Sequence, residues 1–170
     1  MHIFNVDTDP LDLNFDYNPI ETAALRGQTY ANLKMEDLRR FALWKLDRVV
    51  DVPDALLADL RSLSGMNPLT ARTPAAEQAL NQLVACDGIG YPMASAFLKF
   101  IRPDVFPIID VRAYRALTGK RLRSSQYTTK LYLDYADCVR DISLRRKVPL
   151  SVVDEQLYCY DKAHNGKINA

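Results

Sequence analysis

Two parts of this 170-residue chain carry residues whose types and spacing could do chemistry: the stretch Cys86-Asp87-Gly88-Ile89-Gly90-Tyr91, and Asp110 in Phe106-Pro107-Ile108-Ile109-Asp110-Val111-Arg112. Two glycines around one apolar residue, between helix-like runs, make a hairpin. Its backbone N–H groups at Ile89, Gly90 and Tyr91 could press against an anion such as a phosphate at the start of the next helix. Pro92 falls in that helix's first turn, where a missing N–H costs little. A Gly-x-Gly also makes a plain turn, so the motif gains weight only from its surroundings.

Asp110 is a lone carboxylate just before a predicted helix, with Arg112 close behind it. A carboxylate beneath a sugar stabilises the positive charge that builds as a glycosidic bond breaks, and it can orient the attacking water. Asp is also a common helix N-cap, so a capping role stands beside the catalytic one. Tyr91, Trp44, Tyr158 and Tyr160 could each offer a flat stacking surface, though each reads more readily as an ordinary packed or surface aromatic. Asp87 reads as a brace for the hairpin, and Asp104, after Pro103, as a loop residue.

The elements that must position these groups read as all-helical. Residues 1–18 are acidic, with Pro10 and Pro19 marking bends, and are expected to form an arm or a short extended piece laid on the body. Pro19 opens a helix expected to reach about Leu33, and a second covers Met35 to Val50. On that second helix Leu38, Phe41, Ala42 and Leu46 form one stripe, with Arg39, Arg40, Lys45 and Arg48 outside it. Asp51-Val52-Pro53 opens a third helix, carried by Leu56, Leu57, Leu60 and Leu63 and stopped at Gly65. Thr73-Pro74 caps the next, which runs through Ala76, Leu80 and Leu83 into the hairpin. The helix after the hairpin holds Ala94, Phe97, Leu98 and Ile101 and ends before Pro103; others are expected at about 111–117, 125–146 and 150–164.

Composition narrows the class of protein. Nearly half the residues are hydrophobic, enough for one good core or two small helical lobes sharing a cleft, and a single compact domain over 1–170 is expected. No apolar run approaches the ~18 residues of a membrane span. The N-terminus has acids where a secretory signal would have basic residues, so an intracellular location (cytoplasm or nucleoid) is expected. Cys86, Cys138 and Cys159 are odd in number and set in apolar helical pattern; they read as buried free thiols. With only His2 and His164 besides, no metal site is expected.

The net charge of +1 conceals an asymmetry: between Lys99 and Lys147 twelve Lys/Arg face five Asp, an excess of seven, so the remainder is acidic by six. That suits a polyanion on one face. Lys120-Arg121-Leu122-Arg123 reads equally as a solvated loop, and Arg145-Arg146-Lys147 as the complement of a helix C-terminus.

Taken together, Leu83-x-x-Cys86-Asp87-Gly88-Ile89-Gly90-x-x-x-Ala94 and the downstream Ile108-Ile109-Asp110-Val111-Arg112-Ala113-Tyr114-Arg115 resemble the helix-hairpin-helix (HhH-GPD) DNA glycosylase superfamily. That superfamily includes endonuclease III, MutY and AlkA, and the resemblance covers about residues 80–118. It implies an all-α fold of about eight helices and double-stranded DNA as partner. It also implies DNA contacts at Gly88, Ile89, Gly90 and Tyr91, with a monovalent cation held by the hairpin carbonyls in some members, and a catalytic role for Asp110. The base would be flipped out of the duplex to reach it.

Departures from the pattern refine the expectation. Strand-cleaving members have a lysine where this chain has Pro92, so Schiff-base lyase chemistry is not expected. The four-cysteine iron–sulfur spacing of several members is missing, so no cofactor is expected, and Cys86 stands where leucine is usual. The reading is a monofunctional glycosylase-like protein with no membrane association. A non-catalytic DNA-binding module and a helical protein-interaction domain remain as alternatives.

Overall fold

The computed structural model describes residues 19–28, 30, 32–46 and 49–168, and every regular element among them is helical. The expected arm at 1–18 lies outside the described residues, as does Arg48. Two compact units divide the chain, residues 1–49 and 50–170.

The first unit holds α1 (Pro19–Arg26) and α2 (Met35–Lys45), both shorter than the sequence pattern suggests. Gly27 follows α1 directly, and its N–H closes the last turn on Ala23 O. Polar contacts join the two helices: Arg40 pairs with Glu21 at 2.7 Å and Trp44 Nε1 donates to Thr22 Oγ1. The Tyr30 and Phe41 rings meet edge-on at 5.0 Å. The expected apolar stripe is not a buried one. Leu38 and Leu46 are exposed and neither helix contains a buried residue, because two short helices enclose little volume.

The second unit holds α3 (Asp54–Gly65), α4 (Pro74–Ala85), α5 (Tyr91–Ile101), α6 (Val111–Thr118), α7 (Thr129–Arg146) and α8 (Leu150–His164), with a 3-10 turn at Ser124–Gln126. The apolar spacings read from sequence do build this core: Leu56, Leu60, Leu63, Ala76, Leu80, Leu83, Ala94 and Leu98 are all buried. The helix expected from 125 starts at Thr129, where Thr128 accepts the Leu131 N–H as a true N-cap. Thr73 caps less directly. Its hydroxyl accepts from Thr70 N in the preceding turn instead.

α6 lies along α8, and one carboxylate fastens the pair. Asp161, fully buried on α8, receives Arg115 at 2.7 and 2.8 Å and Arg112 at 3.1 Å, both from α6. The Arg115 guanidinium holds the Asp161 carboxyl down at about 2, against the desolvation that opposes it. The thiols depart from expectation: all three are free, but Cys138 and Cys159 are exposed and Cys86 is half-buried.

Candidate functional site

α4 ends at Cys86, whose N–H returns to Leu83 O, and the chain then turns through Gly88 at φ +73°. Only glycine adopts that left-handed geometry without strain. The Ile89 side chain plunges into the core while Gly88 and Gly90 stay exposed, so one apolar plug pins a turn whose backbone faces solvent. Ile89 N–H is consumed within the turn by Cys86 O at 3.2 Å. The N–H groups of Gly90 and Tyr91 donate to nothing among the described residues and sit at the start of α5, where the helix dipole is positive. An anion would therefore be met by two of the three expected donors. Asp87 does not brace this turn. It is exposed and has no hydrogen-bond partner among the described residues, and the plug and the Cys86–Ile89 bond take its place.

Asp110 is half-buried at the N-cap of α6, its Oδ1 accepting Ala113 N–H at 2.6 Å while Oδ2 has no partner among the described residues. The segment leading to it has no regular structure, so its backbone groups need other partners. Side chains from three helices supply them. Arg140 and Tyr132 of α7 donate to Val105 O and Pro107 O at 3.2 and 3.1 Å, and Tyr135 of α7 donates to Ile108 O at 2.9 Å. Asp154 of α8 accepts from Ile108 N at 2.7 Å, and Ser95 of α5 accepts from Ile109 N at 3.1 Å. Each grip is non-local, and together they fix where Asp110 points.

Asp154 is itself held from behind. Lys99 of α5 reaches it at 2.8 and 3.0 Å and Glu155 at 2.7 Å. Burial works against the Lys99 charge, yet these two carboxylates hold its pKa above the ordinary lysine value. Sequence reading did not single out Ser95 or Asp154. The available signal was a serine and an aspartate on the apolar faces of otherwise hydrophobic helical runs.

Beside Asp110 opens a cavity of about 390 Å³ lined by Ile108, Asp110, Ala113, Asp154, Glu155, Tyr158 and Cys159. Of the four aromatics considered from sequence, Tyr158 alone lines it, with the Arg112 guanidinium 5.8 Å above its ring. Tyr160 stacks on His164 instead, and Trp44 belongs to the first unit. Tyr91 lies parallel to Tyr127 at 6.2 Å and shares a hydrogen bond with Thr129, which is tied to Asn81 of α4. Arg112, expected near Asp110, is engaged by Asp161.

Much of the basic excess is spent on ion pairs within the chain. Lys99, Arg102, Arg112, Arg115, Lys130 and Arg145 all pair with carboxylates. Lys120, Arg121 and Arg123 remain exposed in the loop after α6, with no carboxylate partner among the described residues. Among the described residues no cluster of His, Cys, Asp and Glu could hold a metal ion, and no helix is long and apolar enough to cross a membrane. Comparison with protein-family models, with curated proteins and with solved structures returns no match for this chain.

Proposed function

We propose that this chain hydrolyses the N-glycosidic bond of a damaged or modified base flipped out of double-stranded DNA, as a helix-hairpin-helix glycosylase-like enzyme without lyase activity. The observation that carries this reading is Asp110: a half-buried carboxylate with one oxygen committed to a cap and one uncommitted, aimed by a segment gripped from three helices.

In this reading the Gly90 and Tyr91 N–H groups take a backbone phosphate. The extruded nucleotide presents its sugar to Asp110 Oδ2, whose negative charge stabilises the oxocarbenium-like transition state and orients water for attack. The neighbouring cavity, with Tyr158 as a stacking surface, accepts the base. No amine stands at Pro92 to form a Schiff base, so the product is an intact strand with an abasic site.

The second reading is a non-catalytic DNA-binding module, favoured by the cap that Asp110 does make to Ala113. Base release from duplexes carrying a panel of damaged and modified bases, with abasic sites revealed by alkali, separates the two. Release by wild type that vanishes in Asp110→Asn while binding persists supports the enzyme. Binding without release from any substrate leaves the module.

A further inference from the structure

The first unit contains an apolar cavity that the glycosidic reading does not use. It measures about 440 Å³ and is lined by Leu25, Tyr30, Phe41 and Trp44, with Arg26 and Lys45 beside them. The polar atoms of its aromatic walls are already engaged: Tyr30 Oη donates to Leu25 O at 2.6 Å, and Trp44 Nε1 donates to Thr22 Oγ1 at 2.8 Å. A guest therefore meets ring surfaces and hydrocarbon, in a volume within the range of small-molecule sites.

Charge at this cavity is of one sign. Arg26 and Lys45, the last residues of α1 and α2, are exposed and have no carboxylate partner among the described residues. The acids of the two helices are committed elsewhere: Glu21 to Arg40 at 2.7 Å, Glu36 to Arg39 at 3.6 Å, and Asp37 to the Lys34 N–H at 2.8 Å. A cation in a last turn complements its helix dipole, which accounts for each charge singly. It does not account for both cations standing at one apolar cavity that has no acid among its lining residues.

We propose that this cavity binds a small carboxylic acid with an aromatic body, its ring held among Tyr30, Phe41 and Trp44 and its carboxylate met by Arg26 and Lys45. The planar fork of arginine takes both oxygens of a carboxylate together, and both long side chains can lay their stems along an apolar wall while the charge stays in water. The site lies wholly within the first unit and does not depend on the glycosidic reading.

The test uses the emission of Trp44, the chain's only tryptophan and part of the cavity wall. The full chain is titrated with phenylbutyrate and with phenylbutanol, which has nearly the same shape and no charge. A saturable change in emission is expected with both, the acid binding about five-fold more tightly, as for an anion meeting two exposed cations. Replacing both cations, Arg26→Gln with Lys45→Gln, is expected to bring the acid down to the affinity of the alcohol and leave the alcohol unchanged. A purely structural role for the two residues would weaken both ligands alike. Equal affinity of acid and alcohol in wild type overturns the proposal without need of any variant. So does the absence of a saturable change with the acid, or acid binding undiminished in the double variant.

Discussion

Asp154 Oδ2 accepts the backbone N–H of Ile108 at 2.7 Å while the same carboxylate holds Lys99 at 2.8 Å from Oδ1. The candidate acid, two residues further on, therefore hangs from a buried ion pair that joins α5 to α8. Asp154→Ala leaves the Ile108 N–H without its acceptor and Lys99 with only the exposed Glu155. The expected loss is about 3 kcal/mol in urea unfolding, because removing one member of a buried pair strands the other. Lys99→Met is expected to cost a similar amount. An unchanged midpoint in both variants would mean that the pair does not hold the segment.

The cap that Asp110 makes and the catalysis proposed for it are separable, and two substitutions divide them. Asparagine keeps a carbonyl oxygen for the Ala113 N–H, so Asp110→Asn is expected to unfold within a few tenths of a kcal/mol of wild type while losing base release. Asp110→Ala loses the cap as well and is expected to be about 1 kcal/mol less stable. Equal activity in wild type and the asparagine variant would reduce Asp110 to a cap.

The two hairpin glycines differ in the same manner. Gly88 has φ +73°, so Gly88→Ala is expected to cost about 1 kcal/mol in folding whatever room the site has. Gly90 lies at φ −90°, and a Cβ there meets only Pro92 Cδ at 3.7 Å, an ordinary contact. Gly90→Ala should fold normally and, on the proposed reading, bind duplex DNA more weakly, because the methyl stands beside the free Gly90 and Tyr91 N–H groups. Comparing urea midpoints with fluorescence anisotropy on labelled DNA distinguishes strain from occlusion.

How much of this is legible in sequence follows from the range of each interaction. The helical stripes around Leu56, Leu60, Leu80, Leu83, Ala94 and Leu98 repeat within a turn or two, so periodicity alone places them in the core. The hairpin and the cap at Asp110 are likewise local patterns. What escapes is everything that joins positions far apart along the chain: Ser95 to Ile109, Asp154 to Lys99, Asp161 to Arg112 and Arg115, Tyr91 to Tyr127. Charge counting misleads for the same reason, since it cannot tell an arginine paired with a buried aspartate from one in open loop.

The basic loop after α6 is where an electrostatic footprint should show. Replacing Lys120, Arg121 and Arg123 together by alanine is expected to flatten the plot of log binding constant against log salt by about 1 for each phosphate no longer neutralised. The fold should be unaffected, since all three are exposed and none has a carboxylate partner among the described residues. A slope identical to wild type would remove this loop from the DNA face.

Acid should loosen α6 from α8. Arg115 holds the Asp161 carboxyl at about 2, below its ordinary 3.8. The folded state therefore binds that proton more weakly than the unfolded state does. The resulting stability is present above about pH 4 and is lost as pH falls through about 2. Melting curves between pH 5 and pH 2 should fall more steeply for wild type than for Asp161→Asn, which has no such proton to take up. Parallel curves would show that the arginines do not depend on that charge.

The irregular segment before Asp110 is held in part by its main-chain atoms, which are the same for every residue but proline. Ile108 contributes its N–H and carbonyl to the mount while its side chain lines the cavity. Mutation at that position can therefore reshape what the cavity admits while the acid stays where it is. Substitution at position 108 can thus alter the cavity wall and leave the backbone bonds to Asp154 and Tyr135 in place.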